Sequence, residues 1–397
     1  MRGSTKDPSK GRPDDLAFAS VAELSGALAA GKTSSVELTT LSISRLRSKG
    51  VALNAVATLM EESALHEARQ ADAERAAGRV RGPLHGIPYA AKDLLDTKGV
   101  VTAWGSPLFS DRIPSADATA IARLRAAGAV LTAKLAMVEL AGGAGYRFAS
   151  ASAQGPGRNP WNPNHWTGGS SSGSGAAVGA GLVPFALGSE TWGSIVCPSS
   201  YCGISGLRPT YGRVSRHGAM ALCPTLDKIG PLARSAEDIG AVLAAIAGPD
   251  PNDASALPEA WQPGPAPARL RIGVLPQKTW DGYQPEATDL SEKALAALAK
   301  QGHSLVPVTL PDFPFDAVLL TILGAEAAAL FEPLVRTGKH LKLIDPLSKT
   351  GLLPNMTIPA ADYINAQRRR SVAIRGMAAL FTKVDVLAGP SFPSSAR

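Results

Sequence analysis

The sequence predicts an α/β protein with a mostly parallel sheet covered by helices on both faces. Three observations carry this expectation. Segments with helix-start signals alternate with short apolar runs along most of the 397 residues. From position 271 the rhythm strand, helix, strand repeats as "RIGVLP", a helical stretch near 290–301 and "HSLVPVTLP". A content of 45% hydrophobic and 18% charged residues is that of an ordinary globular chain with a sizeable core. No internal repeat interrupts the pattern.

In order along the chain, "SVAELSGALAAGK" opens with Ser20 and carries Glu23 three residues on, the pattern of a reciprocal helix cap. "SSVELTTLSISRLRSKG" repeats it with Ser34 and Glu37, and Gly50 is the expected stop. A third helix is expected over "EESALHEARQADAERAAG". "HGIPYAAKDLL" then reads as a buried strand running into a loop. "DATAIARLRAAGAVLTAKL" reads as a helix capped by Asp117, stopped at Gly128 and followed by a buried strand. A further apolar segment covers 178–188, and Ser235 starts another helix with Glu237 and Asp238 in its first turn. "GPDPNDASALPEAWQPGPAPARL" is a Pro-rich surface loop. Helices over about 315–337 and 360–382 precede the last apolar run, "VDVLAGP".

Forty basic against 33 acidic residues give a net charge of +7. The excess is scattered, apart from the tail "MRGSTKDPSKGR" and "QRRR" at 367–370, and only 5% of residues are aromatic. Nucleic-acid binding needs clustered charge and stacking platforms, so the charge reads as surface solvation. Cys197, Cys202 and Cys223 form an odd set without metal spacing, expected as buried residues in a reducing or thiol-neutral setting and not a disulfide frame, and the expected location is the cytoplasm. The longest weakly polar run, "GAAVGAGLVPFALG", is too short to span a bilayer. Residues 1–19 read as a polar tail, and "MRGS" resembles an expression-vector leader, which puts the native start in question.

Residues 168–175, "GGSSSGSG", have the composition of a flexible linker, but "NPWNPNHWT" before them and "AAVGAGLVPFALGSETWGS" after them are not linker-like. Gly169 to Gly173 also fits G-x-S-x-G, the nucleophile elbow, with Ser171 as nucleophile. That elbow requires an apolar strand directly before it, and Asn162-Pro163-Asn164-His165-Trp166 is a loop sequence.

Three separated pieces in order, "AAKDLL" at 90–95, "GGSSSGSGAAVGAG" at 168–181 and "GSETWGSIVCPSSYCGISGLRPTYGRVS" at 188–215, resemble the amidase signature family. "TLDKIGPLARSAEDIG" follows as the family's downstream pattern, and the resemblance runs from about residue 20 to the end. It implies a single α/β/α domain around a mixed, mostly parallel twisted sheet over 20–397. Within it, 20–80 would be N-terminal helices, 81–250 the catalytic core and 251–397 the second part of the sheet, short of the family's C-terminal strands. It also implies a Lys–Ser–Ser triad: Lys92 as base, Ser170 as bridging serine after a cis peptide, and Ser194, 24 residues on, as nucleophile. A serine needs a base to become nucleophilic, and a lysine serves only when burial keeps it neutral. The apolar "IPYAA" before Lys92 suits that need. The backbone amides of Thr191, Trp192, Gly193 and Ser194 would form the oxyanion hole.

This chain departs from the family pattern with Trp192 for a usual glycine, Glu190 for aspartate and Val196 for arginine. Trp192 is expected to narrow or line the pocket, and would be strained if its position demanded a positive φ. Met137 lies where the family places a residue near nucleophile and substrate. Arg370 matches an arginine some relatives hold near substrate, but a solvated helix face is the plainer expectation. Ser171 and Ser172 are expected as loop-supporting hydrogen bonders, and His85 as structural rather than a base. The implied function is hydrolysis of a small-molecule amide through an acyl-enzyme, without metal, organic cofactor, nucleic acid or membrane, and with a homodimer as an open option. Two alternatives stand beside it: the A component of a glutamine-dependent tRNA amidotransferase, and a catalytically incomplete amidase fragment.

Overall fold

The structure is a computed structural model that describes residues 16–142, 147–265 and 267–396. It divides into two compact units: the described residues up to Met220 with Lys228–Trp261, and Ala221–Asp227 with the described residues from Gln262 on.

The first unit contains, in order, α1 (Val21–Ala29), α2 (Ser35–Arg45), β1 (Val56–Leu59), α3 (Glu61–Ala76), β2 (Pro88–Lys92), α4 (Thr119–Ala126), β3 (Val130–Leu135), α5 (Ser172–Gly179), β4 (Phe185–Glu190), α6 (Val196–Cys202), β5 (Ser205–Gly206), β6 (Lys228–Ala233) and α7 (Ala236–Ile246). The strands form one mixed sheet in the order β1-β3-β2-β4-β6-β5. Its centre, β3-β2-β4, is parallel, and the outer pairs are antiparallel.

Both expected reciprocal caps are present: the Ser20 and Ser34 hydroxyls accept the N–H groups of Glu23 and Glu37, whose carboxylates take the cap N–H groups in return. Two other expectations are corrected. Gly50 does not stop the second helix, because Leu46–Gly50 forms a turn of π-helix that carries the chain on to residue 52. Asp117 does not cap α4; one carboxylate oxygen accepts the Lys98 N–H and the other pairs with Arg125 Nε, so neither is left for the helix start.

Helices cover both faces of the sheet centre. Val130 of β3 packs on Ile43 of α2 and on Ala64 and Ala68 of α3. Ala133 and Leu135 point the opposite way along the same strand and pack with Ala90, Ala186 and Leu232 against Ala177 and Val178 of α5. The alanines explain how α5 comes so close. Its residues from Ser172 to Val178 are all buried. A Cβ on Gly173 would stand 2.4 Å from the Ala55 carbonyl oxygen and 2.6 Å from the Ala136 nitrogen, so only glycine fits there. The serine-rich run is therefore a packed helix start, and its hydroxyls are satisfied: Ser172 donates to the Ala136 carbonyl and Ser174 to the Leu187 carbonyl.

The second unit carries β7 (Arg271–Val274), α8 (Pro285–Lys300), β8 (Ser304–Pro307), α9 (Phe315–Leu330), α10 (Glu332–Arg336), α11 (Pro346–Asn355), α12 (Ala360–Phe381) and β9 (Val386–Ala388). Its three strands are parallel in the order β8-β7-β9, a sheet of their own. Val318 and Ile322 of α9 pack with Ala366 of α12, Cys223 and Leu226. The buried Glu326 carboxylate organises this core, accepting hydrogen bonds from Thr225, Tyr363, Gln367 and the Cys223 thiol. No described helix is long and apolar enough to cross a membrane.

Candidate active site

Lys92 is the last residue of the central strand β2, and Glu190 the last of its parallel neighbour β4. The carboxyl ends of parallel strands are where open α/β sheets gather their sites. Lys92 is wholly buried, and its amino group donates to Ser170 Oγ at 2.7 Å and to Ser189 Oγ at 2.9 Å. Ser170 is itself buried just before α5, and the Gly169–Ser170 peptide bond is cis. Its carbonyl accepts the N–H of Val138, which draws the segment after β3 against it. Met137, one residue earlier, has no exposed surface.

Ser194 lies in the loop between β4 and α6, and it is 7% exposed. Its carbonyl oxygen accepts the N–H of Ser171 at 3.3 Å, which joins this loop to the serine-rich run. The loop is held at three further points: Lys228 Nζ donates to the Thr191 carbonyl, Cys197 N–H to the Gly193 carbonyl, and the Ile195 and Val196 N–H groups to the Glu190 carboxylate. Gly193 has φ +100°, a conformation that favours glycine. Trp192 is not among the described residues with positive φ, so the strain considered for it does not arise; the residue is 43% exposed. Among the described residues, the backbone N–H groups of Trp192, Gly193 and Ser194 meet no acceptor. Three adjacent donors thus remain available beside a serine hydroxyl.

The residues set aside as supports fall into place. Ser171 Oγ donates to the Ser189 carbonyl, bracing β4. His85 sits before the opposite end of β2, buried, with Nδ1 accepting the Arg81 N–H and Nε2 facing Glu74. The three cysteines are free and buried. Arg370 is a correction: unlike the exposed Arg368 and Arg369 it is half-buried and donates to the Thr225 carbonyl at 2.8 Å, because its position on α12 turns it inward. No group of three or more His, Cys, Asp or Glu among the described residues could hold a metal ion.

Sequence reasoning passed over Ser189, the second acceptor of Lys92. The parallel register Ala91↔Leu187 sets Lys92 against the end of β4, within reach of Ser189, and a pairing between strands so far apart in sequence is not readable from one chain. It also passed over Lys134, whose amino group lies 3.3 Å from Asp93 and donates to Thr102. Burial pushes the Asp93 carboxyl up and the Lys134 ammonium down, each opposed by the charge of the other.

The amidase family model matches residues 37–397. The chain belongs to the amidase family. Among curated relatives, the A component of the glutamyl-tRNA(Gln) amidotransferase of Roseiflexus sp. (strain RS-1) is 39% identical over 93% of this chain and 81% of its own. The protein of the same name from Azoarcus sp. (strain BH72) is 37% identical over 95% and 84%. Among solved structures, a chain from a vestigial protein complex described as revealing the origins of an s-triazine catabolic enzyme superposes with TM-score 0.87 at 36% identity, covering 96% of this chain and 82% of that one. The peptide amidase of Stenotrophomonas maltophilia superposes with TM-score 0.79 at 31% identity, over 95% and 86%. The fold of this amidase is thus shared along nearly its whole length.

Proposed function

We propose that this amidase hydrolyses a carboxylic amide through an acyl-enzyme on Ser194. The observation that carries the proposal is the contact of 2.7 Å between the wholly buried Lys92 amino group and the Ser170 hydroxyl. Burial disfavours an ammonium, so Lys92 works as the neutral amine, the form that accepts a proton. Ser194 Oγ attacks the amide carbon and passes its proton to Ser170 as Ser170 passes its own to Lys92. The carbonyl π-electrons move to oxygen, where the N–H groups of Trp192, Gly193 and Ser194, with that of Thr191, receive the charge. Collapse breaks the C–N bond, and the stored proton returns through Ser170 to the leaving nitrogen. Water then attacks the acyl-serine by the same relay and frees the acid. Ser189 holds Lys92 in line, and Met137 supports the segment bonded to Ser170.

The curated relatives favour a second reading, in which the amide is that of glutamine and the chain works as one component of a tRNA-linked amidotransferase. That reading reverses the expectation of no nucleic-acid partner. Ammonia or amine release, measured for the isolated chain with glutamine and with alkyl, aryl and C-terminal peptide amides, separates the two. The first reading expects steady turnover of at least one simple amide by the chain alone. Release from glutamine only, and only on addition of partner proteins, would replace it with the second.

Trp192 is proposed as the pocket's selective wall, since its half-exposed ring hangs from the residue before Gly193-Ser194. Trp192→Gly is expected to shift relative kcat/KM toward bulkier acyl groups by about 10- to 100-fold, the range a changed apolar pocket allows. An unchanged ranking across short, long and aryl acyl groups would remove Trp192 from the pocket.

A further inference from the structure

The Glu190 carboxylate is wholly buried at the end of β4 and spans the loop that holds Ser194. Oε2 accepts the N–H groups of Ile195 at 2.7 Å and Val196 at 2.9 Å, and Oε1 receives Arg208 Nη1 at 3.0 Å. Arg208 approaches from the solvent side, its side chain 49% exposed. The two amides that Glu190 takes directly follow the three that meet no acceptor. A carboxylate at this point therefore divides one run of five amides into two that anchor and three that remain available.

We infer that Glu190, held by Arg208, is a positioning residue that sets the direction of the oxyanion amides and of Ser194; the inference rests on Ser194 being the nucleophile. The other anchors of the loop act on its carbonyls. Gly193 is the most permissive residue in it, and the carbonyls of Thr191, Gly193 and Ser194 are tied while the amides between them are not. Pulling the Ile195 and Val196 N–H groups onto one buried oxygen fixes the peptide planes after Ser194, and β4 fixes those before Thr191. An amide in place of the carboxylate must turn its NH₂ toward either Arg208 or the two N–H groups, leaving donors facing donors in a buried site. Loss of one well-placed oxyanion donor costs about 100- to 1,000-fold in kcat, so a loop that drifts while staying folded should show a sizeable part of that loss.

The test compares the wild-type chain with Glu190→Gln, Arg208→Met and the double variant, using a hydrolysed amide, its activated ester and a fluorophosphonate. Glu190→Gln is expected to lower kcat for amide and ester by a common factor of about 10- to 100-fold, with KM changed less than about threefold and the pH of the acid limb unmoved. The labelling rate should fall by the same factor. Arg208→Met, at the half-exposed partner, should lower kcat by about three- to tenfold, and the double variant should be no worse than Glu190→Gln, since the two act through one contact. Wild-type kcat and labelling rate in folded Glu190→Gln would overturn the inference. If that variant does not fold, an unchanged kcat in folded Arg208→Met overturns it equally. Failure of the wild-type protein to label at Ser194 would overturn the nucleophile reading and this inference with it. Labelling at Ser194 with no response to either substitution would overturn this inference alone.

Discussion

Ser194→Ala is expected to abolish amide turnover, with a fall in kcat on the order of 10⁶, the scale at which removing a serine nucleophile leaves only binding and oxyanion contributions. The substitution removes one oxygen from a nearly buried loop residue whose carbonyl, not its hydroxyl, makes the bond to Ser171, so the fold should be unaffected. Ser171→Ala supplies the contrast. Its hydroxyl braces the Ser189 carbonyl at 3.2 Å, a bond whose loss costs about 1 kcal/mol of stability, and most activity should remain. Steady-state rates on one amide, with thermal melts of both variants, check the pair. Loss of activity in folded Ser171→Ala, with Ser194→Ala active, would restore the elbow reading.

The second large effect belongs to Lys92. Lys92→Ala should remove most amide turnover and spare an activated ester by comparison. The reason lies in the leaving groups: an amide nitrogen must be protonated to depart, whereas an activated alkoxide need not be. The pH profile carries the same logic. A free lysine titrates near 10.4, and the proposed mechanism requires the wholly buried Lys92 to lie below that, since burial opposes the charged form. Protonated Lys92 cannot accept the Ser170 proton, so activity should fall as pH drops through the lowered value and hold on the alkaline side until the fold fails. A histidine base would put the limb near neutral pH. The buried His85 lies before the far end of β2 from Lys92 and is engaged by Arg81 and Glu74. Rates for amide and ester across pH, in wild type and Lys92→Ala, test both points. Substantial amide hydrolysis by folded Lys92→Ala would sink the lysine mechanism.

Much of this was legible in the sequence because it is local chemistry. The Ser20–Glu23 and Ser34–Glu37 caps are complete within four residues, and both form. The strands Pro88–Lys92 and Val130–Leu135 are mostly apolar and buried along their whole length. What failed or stayed hidden depends on distant residues. Asp117 looks like a helix cap until Lys98 and Arg125 claim its oxygens. Residues 168–175 have a linker's composition that their flanks already argue against, but only the Ala55 and Ala136 backbone explains why Gly173 must lack a side chain. β6 carries Gly230 and Pro231, poor strand formers that conceal it, yet it pairs along the whole of β4. The same holds within the site. The candidates Lys92, Ser170 and Ser194 could be proposed from motifs, whereas Ser189 and the Glu190–Arg208 pair emerge only when the parallel β2-β4 pairing and the turn into α6 are seen in space.

The most direct measurement is the site of covalent capture by a fluorophosphonate, because it reports an activated serine without knowledge of the substrate. Intact mass followed by peptide mapping of the wild-type chain should find one adduct, on Ser194. The rate of its formation should decline toward acid pH and become negligible in Lys92→Ala. An adduct on Ser171 or Ser170, or no adduct on a folded protein at alkaline pH, would contradict the proposed assignment of nucleophile and base.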